Sequence, residues 1–316
     1  MKSIIKTIKI ILLFSILGLI ITTLLFGHSD IPLDELKAKY TQPASLFVEI
    51  EGMDVHYVDE GNQNDTLPIV LIHGTGSNLQ TFDGWANSLK TTRRVIRMDI
   101  PAYGLTGPFP NRDYSIAHYT KFITKFLNAI NVKQCVLGGN SLGGQIAWNV
   151  ALKQPDMVTK LILIDAAGYH IDSKNIPIAF ILASIPVIDK LFTYITPRFI
   201  ARLSLESVYF NKSKVTDVLV DRYFELTLRA GNRQAFVDRL NTAPDTISYK
   251  SLNKIQQPTL LLWGKEDLLI SIDHAIKFQK NIPNNTLVIL EKLGHTPMEE
   301  SPIESLNPVL YFLKQP

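Results

Sequence analysis

Ser141 stands in Gly139-Asn140-Ser141-Leu142-Gly143, directly after the apolar run Gln134–Leu137 and before the helix-like stretch Gln145–Lys153. A serine between glycines at a strand-to-helix corner is held in a strained turn that admits only small neighbours, and its hydroxyl is lifted above the sheet. The helix that follows aims its N-terminus at negative charge developing there. That arrangement suits nucleophilic acyl transfer. The bland alternative is a glycine-rich packing turn; the pentapeptide alone is a weak signal, and the strand and helix around it make it a strong one.

A serine hydroxyl at neutral pH needs a base, and the base needs an orienting partner. Of seven histidines, His295 is best placed, in Leu293-Gly294-His295-Thr296 just after the last apolar run. His73 precedes a glycine on the first parallel strand and reads as structural. His56 falls in a hairpin, His118 and His274 in helix-like stretches, His28 in the N-terminal segment and His170 at the start of an insertion. Asp267, in Trp263-Gly264-Lys265-Glu266-Asp267, lies 28 residues before His295 and would hold the imidazole tautomer and stabilise the imidazolium. Glu266 reads as solvated. Asp165, which closes the run Leu161–Ile164, is a serious rival because its strand also ends beside Ser141. In His73-Gly74-Thr75-Gly76 the glycines let backbone approach a substrate carbonyl, and the N–H groups of Thr75 and Leu142 can form an oxyanion hole. A phosphate-loop reading fails because no lysine follows these glycines.

Such residues need a sheet to carry them. Leu46–Ile50 and Val55–Val58 alternate about Glu51-Gly52-Met53-Asp54 and predict a hairpin. Apolar, β-branched runs follow at Ile69–Ile72, Arg94–Met98, Gln134–Leu137, Leu161–Ile164, Thr259–Leu262 and Thr286–Leu290, each before a loop and a helical stretch. Strands apolar on both faces and alternating with helices predict a mostly parallel sheet covered on both sides, with ligands at the strands' carboxyl ends. About 95 residues separate the fourth and fifth of these runs, too many for one crossover. Apolar in its first half, this insertion is expected to be a helical cap over the strand ends that lines a substrate cavity. Residues 31–45 read as a polar linker.

The chain has 316 residues, a net charge of +3 and one cysteine. One cysteine makes no internal disulfide and no Cys-based metal site; Cys135, six residues before Ser141, reads as core packing. Without Lys2, Lys6 and Lys9, 29 basic side chains face 29 acidic ones, so the charge reports a basic N-terminus. Nucleic acid is therefore not an expected partner, since phosphate binding needs a clustered cationic face. Ile10–Phe26 runs 17 residues without a charge, 13 of them Ile, Leu or Phe. With no alanine in the first 37 residues to build a cleavage site, the segment is expected to be an uncleaved membrane-spanning helix. The lysines would stay cytoplasmic and the body extracytoplasmic. Were the segment cleaved, the protein would be secreted.

The motifs His73-Gly74, Asp99-Ile100-Pro101-Ala102-Tyr103-Gly104, Gly138-Gly139-Asn140-Ser141-Leu142-Gly143-Gly144, Trp263-Gly264-Lys265-Glu266-Asp267 and Gly294-His295-Thr296-Pro297-Met298-Glu299 together resemble the α/β-hydrolase superfamily, from about Phe47 to the C-terminus. Asn140, Ile164-Asp165-Ala166-Ala167-Gly168 and the apolar N-terminus look like capped bacterial lipases and esterases. Ala102 departs from the glycine usual after Pro101. The chain is expected to divide into a membrane anchor, or signal peptide, over 1–30, a hydrolase core over 31–168 and 252–316, and a helical cap over 169–251. The resemblance implies Ser141, Asp267 and His295 as nucleophile, acid and base, and no metal or cofactor. The expected function is hydrolysis of carboxylic esters, small-molecule or lipid, through an acyl-enzyme on Ser141. A serine there speaks against the dehalogenase and epoxide hydrolase chemistries of the superfamily, which use aspartate. The second enzyme reading is a C–C bond hydrolase of ring-cleavage products, with Arg198, Arg202, Arg229 or Arg233 supplying a cation to the pocket. A third is a non-catalytic binding module of the same fold.

Overall fold

The computed structural model describes residues 2–171, 173, 175–245 and 248–315. Eight strands form one sheet: β1 (Ser45–Ile50), β2 (Met53–Gly61), β3 (Ile69–Ile72), β4 (Arg94–Met98), β5 (Cys135–Asn140), β6 (Val158–Ile164), β7 (Thr259–Gly264) and β8 (Asn285–Leu290). Their order is β1-β2-β4-β3-β5-β6-β7-β8. β1 and β2 form the expected hairpin, β2 pairs antiparallel with β4, and the other neighbours are parallel. Register sets the site. Gly139 lies beside Ile72, Asn140 beside Ile164, and Ile164 beside Leu262, so β5, β6 and β7 finish at one level with Ser141, Asp165 and the Asp267 loop just beyond.

The period-2 alternation of β3 explains its double burial. Val70 and Ile72 pack among the helices Ile116–Ala129 and Leu142–Lys153, while Ile69 and Leu71 pack among Phe82, Trp85, Val309 and Phe312 on the other face. Each fully enclosed aliphatic side chain of this kind contributes roughly 1.5–3 kcal/mol. Trp85 Nε1 meets Ser305 Oγ at 2.9 Å, so the indole's one donor is satisfied inside the core.

Between β6 and β7 lie the helices Ile178–Ser184, Ile188–Phe192, Arg198–Val208, Asp217–Thr227 and Asn232–Asn241. Two expectations for the N-terminal region are corrected. Residues 31–45 are not a plain linker: Leu33–Tyr40 is a helix whose Leu36 packs against Leu105 and Leu226. The spacing of Leu33, Leu36 and Tyr40 puts all three on one helical face. Around it the chain straps the cap, with Thr196 N–H donating to Phe26 O at 3.1 Å and Arg233 Nη2 to Asp30 Oδ1 at 2.7 Å. The apolar N-terminus is a 25-residue helix, Lys2–Phe26. Among the described residues no helix is long and apolar enough to cross a membrane, so the expected spanning segment is not found. Lys2, Lys6 and Lys9 fall inside the helix and leave 17 uncharged residues, at the lower end of the ~17–25 a bilayer core requires.

Candidate active site

Ser141 caps the helix Leu142–Lys153 at φ 54°, ψ −116°, a conformation that costs a non-glycine residue about 1–3 kcal/mol. The surroundings leave it no other path. A Cβ on Gly139 would sit 2.3 Å from the Gly143 carbonyl, and one on Gly143 would sit 2.1 Å from Ile72 O. The chain therefore crosses itself where only glycines pass. Ser141 N–H donates to Ile164 O at 3.0 Å, pinning the turn to the end of β6.

His295 is 5% exposed, and its Nδ1–H donates to Asp267 Oδ2 at 2.7 Å. That bond leaves Nε2 as the acceptor nitrogen. Asp267 Oδ1 accepts the N–H groups of Leu269 and Ile270 at 2.8 and 2.9 Å, so both carboxylate oxygens are engaged. Ser141 and His295 line one cavity, and no Ser141 Oγ–His295 hydrogen bond is closed among the described residues. Catalytic hydrogen bonds are often open before substrate binds. The rival, Asp165, does not take the imidazole in the hydrogen-bond network. Its Oδ1 accepts Gly264 N–H at 2.9 Å, and burial, followed by the charge of Asp267, pushes its carboxyl well above the usual carboxylate range. Asp165, Asp267 and His295 offer metal-ligand atoms all within 4.8 Å of one another. The hydrogen bonds above already occupy Asp267 and His295 Nδ1, which speaks for an imidazole–carboxylate pair over an ion site.

Thr75 lies on the loop after β3, and Leu142 opens the helix behind Ser141; both line a cavity that Ser141 also lines. A Cβ on Gly74 would come within 3.1 Å of Ser141 Cβ, so this glycine sets how closely the loop approaches the Ser141 turn. His73 and His56 hold that loop system. His73 Nδ1–H donates to Gly74 O at 2.8 Å and its Nε2 accepts Ile100 N–H at 3.1 Å, while His56 Nδ1–H donates to Asp99 Oδ2 at 2.7 Å. Burial pushes the His73 imidazole down. Ala102 sits nearby at φ 88°, which accounts for glycine being the usual residue there. His118 pairs with Glu51 at the surface, His28 packs on Phe224, and His274 packs on Tyr169 in the helix Ile272–Asn281. His170 lines the outer cavity.

Two positions escaped the sequence reading. Asn140 Nδ2 donates to Ile164 O at 3.2 Å and to His295 O at 2.9 Å, joining the Ser141 turn to the His295 loop. Its place beside Ser141 was visible, but its partner 155 residues away was not. The second is Arg239. The four arginines expected to supply a cation are engaged elsewhere: Arg198 with Asp221, Arg202 with Asp217, Arg229 with Leu105 O, and Arg233 with Asp30. Arg239, on the helix Asn232–Asn241, lines the cavity that holds Ser141, and its buried Nε has no hydrogen-bond partner.

Ser141 and Thr75 border two spaces. One, of about 120 Å³, runs under the cap among Phe180, Phe192, Ile200, Leu205, Val208 and Phe236. The other, of about 780 Å³, carries Arg239, Lys277 and Asp245 as well as apolar walls.

This sheet order, turn and histidine–carboxylate pair define a hydrolase of the α/β class. The sequence profile described as the alpha/beta hydrolase family matches residues 69–309, and the chain belongs to that family. A hydrolase of Bacillus subtilis (strain 168), itself uncharacterised, is 25% identical over 256 residues, covering 80% of this chain and 92% of its own. The 2-hydroxy-6-oxo-6-(2'-aminophenyl)hexa-2,4-dienoic acid hydrolase of Metapseudomonas resinovorans is 25% identical over 281 residues, covering 85% and 90%. Among solved structures, a membrane phospholipase A described as a bacterial virulence factor superposes with a TM-score of 0.73 at 25% identity, covering 99% of this chain and 98% of its own.

Proposed function

We propose that the chain is a serine hydrolase of carboxylic esters that carry an apolar chain, acting through an acyl-enzyme on Ser141. The observation that carries this reading is the 2.7 Å His295–Asp267 bond beside a serine held in a strained strand-to-helix turn. Ser141 Oγ attacks the ester carbonyl while His295 Nε2 takes its proton. The oxyanion of the tetrahedral intermediate points at the N–H groups of Thr75 and Leu142. Collapse breaks the C–O bond, and His295 returns the proton to the departing alcohol. Water, deprotonated by His295, then attacks the acyl carbonyl and releases the acid with Ser141 restored. Asp267 holds the imidazole and stabilises its charged form.

The apolar cleft suits an acyl or alkyl chain, and the wider cavity suits a polar group, with Arg239 and Lys277 favouring a negative one. The phospholipase relative supports a lipid ester. The second reading, hydrolysis of a C–C bond in ring-cleavage diketone acids, is supported by the dienoic acid hydrolase relative and by the same Arg239. Location belongs to the proposal as well: the basic, apolar helix Lys2–Phe26 attaches the protein to a membrane surface. Removal of residues 2–26 should then shift the protein from the membrane to the soluble fraction.

The discriminating experiment is a panel of p-nitrophenyl esters from short to long chain, a diacyl phospholipid and a 2-hydroxy-6-oxo-dienoic acid, run with the wild type and Ser141→Ala. Ester turnover that falls at least 10³-fold in Ser141→Ala is the expected result. Turnover of the diketone alone would establish the second reading, and a folded protein that neither turns over a substrate nor forms a fluorophosphonate adduct on Ser141 would favour the binding module.

A further inference from the structure

Asp165 is a fully buried carboxylate that the catalytic scheme above does not use. It follows β6 at φ 43°, in the positive-φ region that Asp tolerates better than most non-glycine residues. One oxygen is satisfied by Gly264 N–H at 2.9 Å, while the other, Oδ2, meets no hydrogen-bond donor. A side-chain atom of Asp165 lies within 4.8 Å of one in Asp267 and one in His295. A further ionisable group that acts on Asp165 is Glu300, whose oxygens are taken by the N–H groups of Gly294, Phe210 and Asn211. No lysine or arginine among the described residues forms an ion pair with Asp165.

Two ionised carboxylates this close in a buried site repel each other, and a buried acceptor without a donor carries its full desolvation cost. One proton resolves both problems. We infer that Asp165 is a positioning residue that keeps a proton on Oδ2 and donates it to the Asp267 carboxylate, so that Asp267 alone bears the charge facing His295. The direction in which burial and Asp267 push the Asp165 carboxyl agrees with this. The proton stays within the pair throughout turnover, and Asp165 touches no substrate. Its effect is to fix the rotation of Asp267 and, through it, the plane of the imidazole. The role in turnover rests on the proposed function; the protonation state does not.

The test compares Asp165→Asn, which keeps a neutral donor, with Asp165→Ala, which removes it. In the wild type, infrared spectroscopy at pH 7 should show the carbonyl stretch of a buried protonated carboxyl, absent in both variants. The acidic limb of kcat/KM for a p-nitrophenyl ester should stay in place in Asp165→Asn, with kcat within about tenfold of wild type. In Asp165→Ala, kcat should fall further with KM little changed. The inference is overturned if the band is missing, or if the acidic limb of Asp165→Asn moves down by about one pH unit. That shift is what removing an ionised neighbour from His295 would produce. It is also overturned if Asp165→Ala matches the wild type, or if EDTA abolishes activity and a divalent ion restores it. Should Asp165→Ala fail to fold, the infrared band and the Asn profile decide. Should no ester be hydrolysed, the band alone decides, and the failure belongs to the proposed function.

Discussion

Glu300 Oε2 accepts the backbone N–H of Gly294 at 2.9 Å, one residue before His295, and the same carboxylate accepts Phe210 and Asn211 N–H from the cap at 3.2 and 2.7 Å. His295 N–H in turn donates to Val208 O at 2.8 Å. The histidine loop is therefore held as much by the cap as by the sheet. Glu300→Ala leaves three backbone donors without their partner, each worth about 1–3 kcal/mol. We expect a loss of about 3 kcal/mol or more in urea unfolding and at least a tenfold fall in kcat, with Glu300→Gln milder on both counts.

The two aspartates should separate cleanly in turnover. Asp267→Asn removes the acceptor that sets the imidazole tautomer and is expected to lower kcat about 10³–10⁴-fold. Asp165→Asn is expected to stay within about tenfold. The measurement is steady-state hydrolysis of a p-nitrophenyl ester, and a larger loss at Asp165 would exchange their roles.

Asp165 also marks the pH dependence of stability. Its folded carboxyl is raised by burial and by Asp267, so above the unfolded value, near 4, the native state holds a proton that the unfolded chain releases. The unfolded state then binds fewer protons, and stability falls as pH rises from about 4 towards the folded value, by about 1.4 kcal/mol per unit from this residue. Asp165→Asn escapes that linkage. Its Tm should match the wild type near pH 4 and exceed it increasingly as pH rises towards the folded value; a Tm difference independent of pH would contradict the linkage.

Gly143 tolerates no side chain. The Cβ of Gly143→Ala would lie 2.1 Å from Ile72 O and 2.6 Å from His73 O, both backbone atoms that cannot turn aside. We expect loss of more than 3 kcal/mol, or no soluble protein, by circular dichroism and denaturant unfolding. Gly18→Ala, with nothing within 4 Å of its added Cβ, is the neutral comparison.

Arg239 predicts selectivity for negative charge. For monobutyrin against its glycerol phosphate counterpart, and p-nitrophenyl butyrate against p-nitrophenyl hemisuccinate, Arg239→Gln should lower the anionic-to-neutral ratio of kcat/KM about tenfold or more. Arg239→Lys should keep part of it. Each ratio comes from one preparation, so an unfolded fraction cancels. An unchanged ratio with both pairs would remove Arg239 from substrate recognition.

Much of the frame could be read directly from the chain. All six parallel-sheet runs and the hairpin appear where local pattern put them, because period-2 burial and glycine-bounded turns are written within a few residues. The strained turn at Ser141 was legible for the same reason: Gly139 and Gly143 are required by contacts inside one strand-turn-helix unit and with the adjacent strand. Residues 31–45 misled because their polar composition hides a single apolar face, and that face becomes visible only against Leu105 and Leu226.

What local sequence left open was decided by register and loop closure. Asp165 and Asp267 follow adjacent strands, and either could have met His295 on grounds of spacing. The chain folds the Asp267 loop so that Leu269 and Ile270 N–H hold one oxygen and aim the other at His295, while Gly264 N–H draws Asp165 aside. The same holds for the arginines, whose charges were countable but whose partners were not. The strand pattern and the turn at Ser141 are set by residues within a few positions of one another; the choice of carboxylate, cavity cation and cap tether depends on partners tens to hundreds of residues apart, which only tertiary packing brings into contact.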